Sequence, residues 1–175
     1  MTAPQTSRET PLWRFSLAFY RQPGVSEACI ALQDDCGVDV NLLLFLFWLA
    51  AEGRQVTPAE VNQIDETARG WRELTIIPLR RIRRALKGAA TMVSPDRKNA
   101  LRERIKAVEL EAERLQQEAF YALAQAAPPG RPAAPAAAAP ANLDAYRASL
   151  GAAFPDQTVQ TLLGALARSD AAVPH

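Results

Sequence analysis

Ten consecutive residues, Leu42 to Ala51, carry no polar side-chain atom except the Trp48 indole N–H. A helix that is apolar on every side has to be buried on every side, so this stretch constrains the fold more than any other. Three readings compete for it. A membrane span needs about 20 apolar residues to cross about 30 Å of hydrocarbon. Here Asp39 and Asn41 interrupt the run on one side and Glu52, Gly53 and Arg54 on the other, which leaves it short by about half. A buried strand is disfavoured because no β-branched residue follows Val40, and Leu and Ala favour helix. The third reading, a central helix over about 39–52, has its start and stop in place. Asp39 or Asn41 can cap the N-terminus, and Gly53 can close the C-terminus in the left-handed conformation.

The flanking sequence is punctuated as helices too. Residues 1–10 are polar, without the apolar core of a secretory signal, and are expected to be disordered. Thr10-Pro11 then reads as a cap followed by proline at the first helical position. The apolar spacing of Leu12, Trp13, Phe15 and Phe19 continues that helix to about Arg21, where Gln22-Pro23-Gly24 stops it. A second helix runs from Val25 or Ser26 to Asp35 and ends at Gly37. Thr57-Pro58-Ala59-Glu60 carries a capping box, with Val61, Ile64, Ala68 and Trp71 following at helical spacing. Gly70 is expected to end or kink that helix. Trp71 to Lys87 reads as a further helix bent at Pro78, with Leu74, Ile76 or Ile77, Leu79, Ile82 and Leu86 as its buried stripe. The longest helix spans about 95–126. Its apolar positions Leu101, Ile105, Val108, Ala112, Leu115, Ala119 and Ala122 alternate spacings of 4 and 3, a thin seam of the coiled-coil type.

Residues 127–141, rich in proline and alanine, read as an extended tether. Beyond it, residues 142–169 hold two short amphipathic helices split by Phe154-Pro155, which either dock back on the main domain of residues 11–126 or bind something else. The expected fold is all-α: a compact helical bundle around a central buried helix, with one long helix and a tethered C-terminal helical pair.

Catalytic chemistry is thinly supplied. The one histidine is His175, the last residue, so a His-assisted nucleophile is not expected. Cys29 and Cys36 stand seven apart, too far for a disulfide along one helix, and two isolated thiols point to a reducing, cytoplasmic compartment. No Gly-rich phosphate loop and no Cys/His metal cluster is present, and no cofactor is expected. Asp34, Asp35 and Asp39 are the one acidic group that could hold a cation or serve a remote enzymatic reading centred near Asp39. Helix termination and capping around Gly37 account for them more simply.

Charge is segregated although the net is only +1. Residues 1–79 are net −4, residues 80–106 net +8 and residues 107–175 net −3. The basic block includes Arg80, Arg81, Arg83, Arg84, Lys87, Arg97 and Lys98, the candidate partner-binding residues. The readings open to it are a solvated face, an acidic protein surface (its own or a partner's) and, less favoured, nucleic acid. No aromatic residue interleaves with it, so base stacking is not indicated. Within the long helix, Asp96 to Lys106 is net +3 and Glu109 to Glu118 net −3. That order opposes the helix dipole and would be complemented by an antiparallel second copy. The leading functional expectation is thus a non-enzymatic interaction module with an unknown protein partner or with itself. A nucleic-acid-associated protein is the alternative, and no membrane is expected.

Trp13-Arg14-Phe15-Ser16-Leu17, Pro23-Gly24-Val25, Ala28 to Asp34 and Gly37-Val38-Asp39-Val40-Asn41-Leu42-Leu43-Leu44-Phe45 together resemble a family of small uncharacterised bacterial proteins, a domain of unknown function. The resemblance covers roughly residues 12–125. It implies a helical cytoplasmic protein and brings no activity, cofactor or catalytic residue with it. Asp39 and Asn41, at the head of the central helix, are the candidate polar site if they face a cavity rather than only cap the helix.

Overall fold

The computed structural model describes residues 9–88 and 92–170, so most of the expected disordered N-terminus and the terminal His175 lie outside the described residues. Helix α1 (Pro11–Tyr20) is capped by the Thr10 hydroxyl, which accepts from the Trp13 N–H at 3.1 Å. Helix α2 (Val25–Cys36) ends at Gly37, whose left-handed backbone closes the last turn. The central helix α3 (Val40–Ala51) is buried from Asn41 to Ala50 without interruption. Around it pack α1, the long helix α6 (Pro95–Ala126) and α7 (Pro135–Leu150). Phe45 of α3 stacks on Phe120 of α6 at a ring separation of 4.9 Å, and Phe19 of α1 meets Phe47 at 5.4 Å. Each such side chain, moved from water into the core, contributes about 1.5–3 kcal/mol.

Helix α4 (Pro58–Trp71) starts with both halves of the Thr57–Glu60 capping box in place. It passes without a break through a π-helical turn (Arg72–Ile76) into α5 (Ile77–Gly88). Gly70 therefore does not end the helix. The widened turn stands just before Pro78, which lacks an N–H and would crowd the Leu74 carbonyl in a regular α-helix. The extra residue has a further consequence. Continued at α-helical spacing, the buried positions Val61, Ile64 and Ala68 of α4 would lead to Leu79, Ile82 and Leu86, which is the stripe expected from the sequence. One inserted residue turns everything beyond it by about 100°. The inward positions become Ile76, Arg80 and Arg83, while Leu74, Ile77 and Ile82 face solvent and Leu79 and Leu86 are half-buried.

The C-terminal region also departs from expectation. Residues 127–141 are no open tether. Arg131–Pro132 (β2) pairs antiparallel with Arg54–Gln55 (β1) in a two-stranded ribbon. The Arg54 guanidinium binds the carbonyls of Pro128 and Pro129 at 3.0 Å and that of Gly130. Gly130, at φ +74°, lies so close to the ribbon that an added Cβ would stand 2.4 Å from the Gln55 carbonyl oxygen. Pro135 then takes the first helical position of α7, and the alanines that follow are strong helix formers with side chains small enough for close packing. Ala138, Ala139, Asn142, Leu143 and Tyr146 are buried, and α7 lies along α3 and α4. Helix α8 (Asp156–Asp170) completes the bundle against α2. Among the described residues no helix is long and apolar enough to cross a membrane.

Asn142 shows why α7 docks where it does. It is fully buried, donates to the Leu46 and Arg54 carbonyls at 3.0 Å each, and accepts from the Val56 N–H at 2.8 Å. Replacing Asn142 with Ala strands these backbone groups without water. The expected loss is about 3 kcal/mol, or roughly 6–12 °C in Tm for a chain of this size. Urea unfolding read by circular dichroism checks it, and a loss under about 1 kcal/mol would mean that α7 is held by its apolar contacts alone.

Candidate functional site

The head of α3 gathers polar side chains from four elements. Asp39 precedes α3, and its Oδ1 accepts from the backbone N–H of Asn41 at 2.9 Å and of Leu42 at 3.4 Å. A helix sunk in the core needs that cap because its first N–H groups have no water to bind. The other oxygen, Oδ2, accepts from Arg72 at 2.8 Å and from the Gln116 side-chain amide at 2.7 Å. Arg72, at the junction of α4 and the π turn, also binds Asp65 at 2.7 Å. Burial acts to lower the Arg72 pKa, but hydrogen bonds to Asp65 and Asp39 outweigh it and hold the guanidinium charged. The Asp39 backbone N–H donates to the Tyr146 hydroxyl of α7 at 2.8 Å.

Asn41 caps nothing. Its Nδ2 donates to Gln116 Oε1 at 3.4 Å and its Oδ1 accepts from Gln117 Nε2 at 2.9 Å. The polarity of these amides follows from the carboxylate. Asp39 accepts only, so Gln116 must turn its NH2 toward it. Gln116 then presents oxygen to Asn41, Asn41 presents oxygen to Gln117, and Gln117 ends the chain with its own oxygen. The two polar residues singled out in the sequence thus act together, and both also border cavities, Asp39 one between α2 and α5 and Asn41 one beneath α1. Arg72, Gln116, Gln117 and Tyr146 could not be foreseen. Gln116-Gln117 reads as the polar side of α6, and nothing in a linear pattern marks it as facing inward.

The basic block divides. Arg80 binds Glu109 at 3.0 Å and Glu113 at 2.7 Å, and Arg83 grips Glu109 with two of its nitrogens. These arginines belong to the face of α5 turned toward α6, not to a solvated arc, because of the phase change at the π turn. Arg84 pairs with Asp34 of α2 at 2.9 Å on the surface. Arg81, Lys87 and Arg97 are exposed, and Lys98 is half-buried. Asp34, Asp35 and Asp39 do not converge: Asp34 and Asp39 are engaged by different arginines. Cys29 and Cys36 form no disulfide, and burial pushes the Cys29 thiol up to about 12.

The long helix presents two distinct faces. Inward lie Glu109, Ala112, Gln116, Gln117, Phe120 and Ala124. The seam read from the sequence is turned largely outward: Leu101, Val108 and Leu115 are 47, 55 and 39 % exposed, Ala119 and Ala122 are exposed, and only Ala112 is buried.

The model of a family described as a protein of unknown function (DUF2390) matches residues 11–120, more than half of the chain. The match includes Asp39, Asn41, Arg72, Gln116 and Gln117 and leaves out α7 and α8. No curated protein and no solved structure matches the chain.

Two outcomes are expected from these geometries. Asp39→Asn keeps a capping oxygen but removes the charge that Arg72 and the amide chain require. It should cost about 3–5 kcal/mol, against about 1 kcal/mol for Thr57→Ala at an exposed cap, measured as urea midpoints. The second concerns pH. Burial acts to raise the Glu109 pKa, but hydrogen bonds from Arg83 and Arg80 win and hold it below its ordinary 4.5. Its stabilisation is complete above pH 4.5 and is lost as pH falls through the lower folded-state value. Glu113 acts in the opposite sense: burial raises its pKa against the pull of Arg80, so its contribution is largest in acid and declines as pH rises above 4.5. Glu109→Gln should therefore flatten the loss of stability below pH 4.5, and an unchanged acid limb in unfolding midpoints taken against pH would contradict this.

Proposed function

We propose that the chain, which belongs to the DUF2390 family of proteins of unknown function, is a non-enzymatic interaction module that pairs with a second copy of itself through the outer face of α6. The observation that carries this reading is the stripe of exposed Leu101, Val108 and Leu115, spaced by seven. An apolar row at that spacing on a surface helix suits packing against another helix. Beside it run Arg97, Arg104, Glu111 and Glu118, also spaced by seven, with the bases first and the acids last. An antiparallel partner sets each basic half against an acidic half, whereas a parallel one sets like against like. The Arg114 pairs with Glu111 and Glu118 are between neighbours on one helix, and such exposed pairs are worth little, so re-pairing across an interface is not opposed. An apolar groove beside Trp71, Leu115, Ala119 and Leu123 continues the same face.

Nucleic acid is the poorer match for the basic block. Arg80, Arg83 and Arg84 are already engaged by Glu109, Glu113 and Asp34, which leaves less unbalanced charge than the sequence suggests.

Sedimentation velocity at tens of micromolar, in low and in high salt, tests the pairing. The expected result is a dimer in low salt, weakened at least tenfold by about 0.5 M salt, and a monomer at both for Val108→Glu. Position 108 is exposed, so that variant should fold normally. A wild-type monomer in low salt contradicts the proposal. A steep salt-dependent affinity for RNA or DNA, lost on changing Arg81, Lys87 and Arg97 to Gln, would favour the nucleic-acid reading instead.

A further inference from the structure

We infer that the groove between α4 and α6 seats the Met92-Val93 corner of a second copy of this chain, which fixes the register in which two α6 helices lie side by side. The inference rests on the self-pairing proposed above and names what fills the groove. The groove has a volume of about 440 Å³ and is walled by Trp71 of α4 and by Leu115, Ala119 and Leu123 of α6. Its polar side chains are already engaged. The Trp71 indole N–H donates to the Ala112 carbonyl at 2.9 Å, and the Thr67 hydroxyl donates to the Ile64 carbonyl at 2.7 Å. Both ends of the Gln116 amide are taken, by Asp39 and by Asn41. What is left to meet a partner is apolar, with Trp71 38 % and Leu115 39 % exposed. The occupant this suits is an apolar side chain, which needs no hydrogen bond.

Register decides which one. For two antiparallel copies of α6, charge sets the alignment that places Arg97 opposite the partner's Glu118 and Arg104 opposite the partner's Glu111. The apolar stripe sets its own alignment, with Leu101 opposite the partner's Leu115 and Val108 opposite the partner's Val108. The two rest on different side chains, yet they differ by one residue, about 1.5 Å along the axis. In the first, five residues beyond Glu118 and five before Arg97 bring Leu123 opposite the partner's Met92. In the second, Leu123 falls opposite the partner's Val93. Met92 stands fully exposed, and Val93 is half-exposed. Both alignments thus carry the same apolar corner to the same apolar groove.

One chain cannot fill its own groove in this way. Met92 precedes the first residue of α6, and the rise from Pro95 to Ala119 alone is about 36 Å. A two-fold axis near Val108 makes the contact reciprocal. Each copy lends its Met92 and receives the other's, so the pair closes and does not extend into a filament. Methionine suits the place: it is unbranched and adaptable, and its sulfur packs favourably against an aromatic ring such as that of Trp71.

The sequence holds two methionines, Met1 and Met92, so methyl-¹³C-methionine labelling gives a sparse spectrum in which Met92→Leu assigns the Met92 signal. In low salt, nuclear Overhauser contacts are expected from the Met92 methyl to the Trp71 ring, and they should vanish in about 0.5 M salt. Met92→Asp should leave the circular dichroism spectrum unchanged, because the side chain is fully exposed in the single chain. It should weaken the dimer about tenfold or more in sedimentation, whereas Met92→Leu should pair within about twofold of the wild type. Sedimentation on the same samples keeps the two readings apart. A dimer that lacks the Met92–Trp71 contacts, or that is as tight in Met92→Asp as in the wild type, overturns this register and leaves the pairing standing. A wild-type monomer in low salt overturns the pairing and this inference with it.

Discussion

The Asp39 carboxylate is the point on which the polar side of this fold turns. Helix α3 is apolar on every side, so it has to be surrounded, and surrounding it removes its N-terminal N–H groups from water. One carboxylate answers that need by accepting from two of them. A buried carboxylate creates a need of its own, which Arg72 meets at 2.8 Å from the end of α4. Gln116 from α6 takes another lone pair, and the Asp39 N–H reaches Tyr146 of α7. Three elements are thus registered against the head of one helix. Apolar packing supplies the greater part of the stabilisation. The polar contacts specify which packing, because a slide of α6 or α7 by one turn would leave these groups unpaired.

The π turn ahead of Pro78 sets the second feature. It redirects the face that α4 presents to the core, so Arg80 and Arg83 rather than Ile82 turn toward α6. Glu109 and Glu113 meet them there. Helix α5 is therefore held to α6 largely by ion pairs, with Ile76 and half-buried Leu79 and Leu86 beside them. Because α6 spends its inner face on these contacts and on the amide chain, its heptad-spaced residues are left outside. The surface proposed for self-pairing is the side of α6 that this packing leaves outside.

Much of this was legible in the sequence where the signal is local. Thr10-Pro11, Thr57-Pro58-Ala59-Glu60 and Gly37 act as the caps and stops their chemistry demands, and the central helix begins and ends where its flanking polar residues place it. What escaped was non-local. A widened turn shifts a whole stripe by one residue and leaves no pattern except a proline. Gln116 and Gln117 are indistinguishable in a linear reading from solvated residues, so the amide chain was invisible even though both of its α3 members, Asp39 and Asn41, stood out. The Pro/Ala segment misled for a physical reason: the composition that forbids a core is also, after a single proline at Pro135, an efficient helix start. Asn142 and Tyr146 then supply the docking that alanine alone lacks.

The central claim is that Asp39 orients the amides of Gln116, Asn41 and Gln117 in one direction, so that the chain ends on the Gln117 carbonyl oxygen. Neutron diffraction from deuterium-exchanged crystals locates those protons directly. Deuterium on Gln116 Nε2 toward Asp39, on Asn41 Nδ2 toward Gln116 and on Gln117 Nε2 toward Asn41 is the predicted result. A Gln117 amide turned the other way, with its oxygen toward Asn41, would contradict the account.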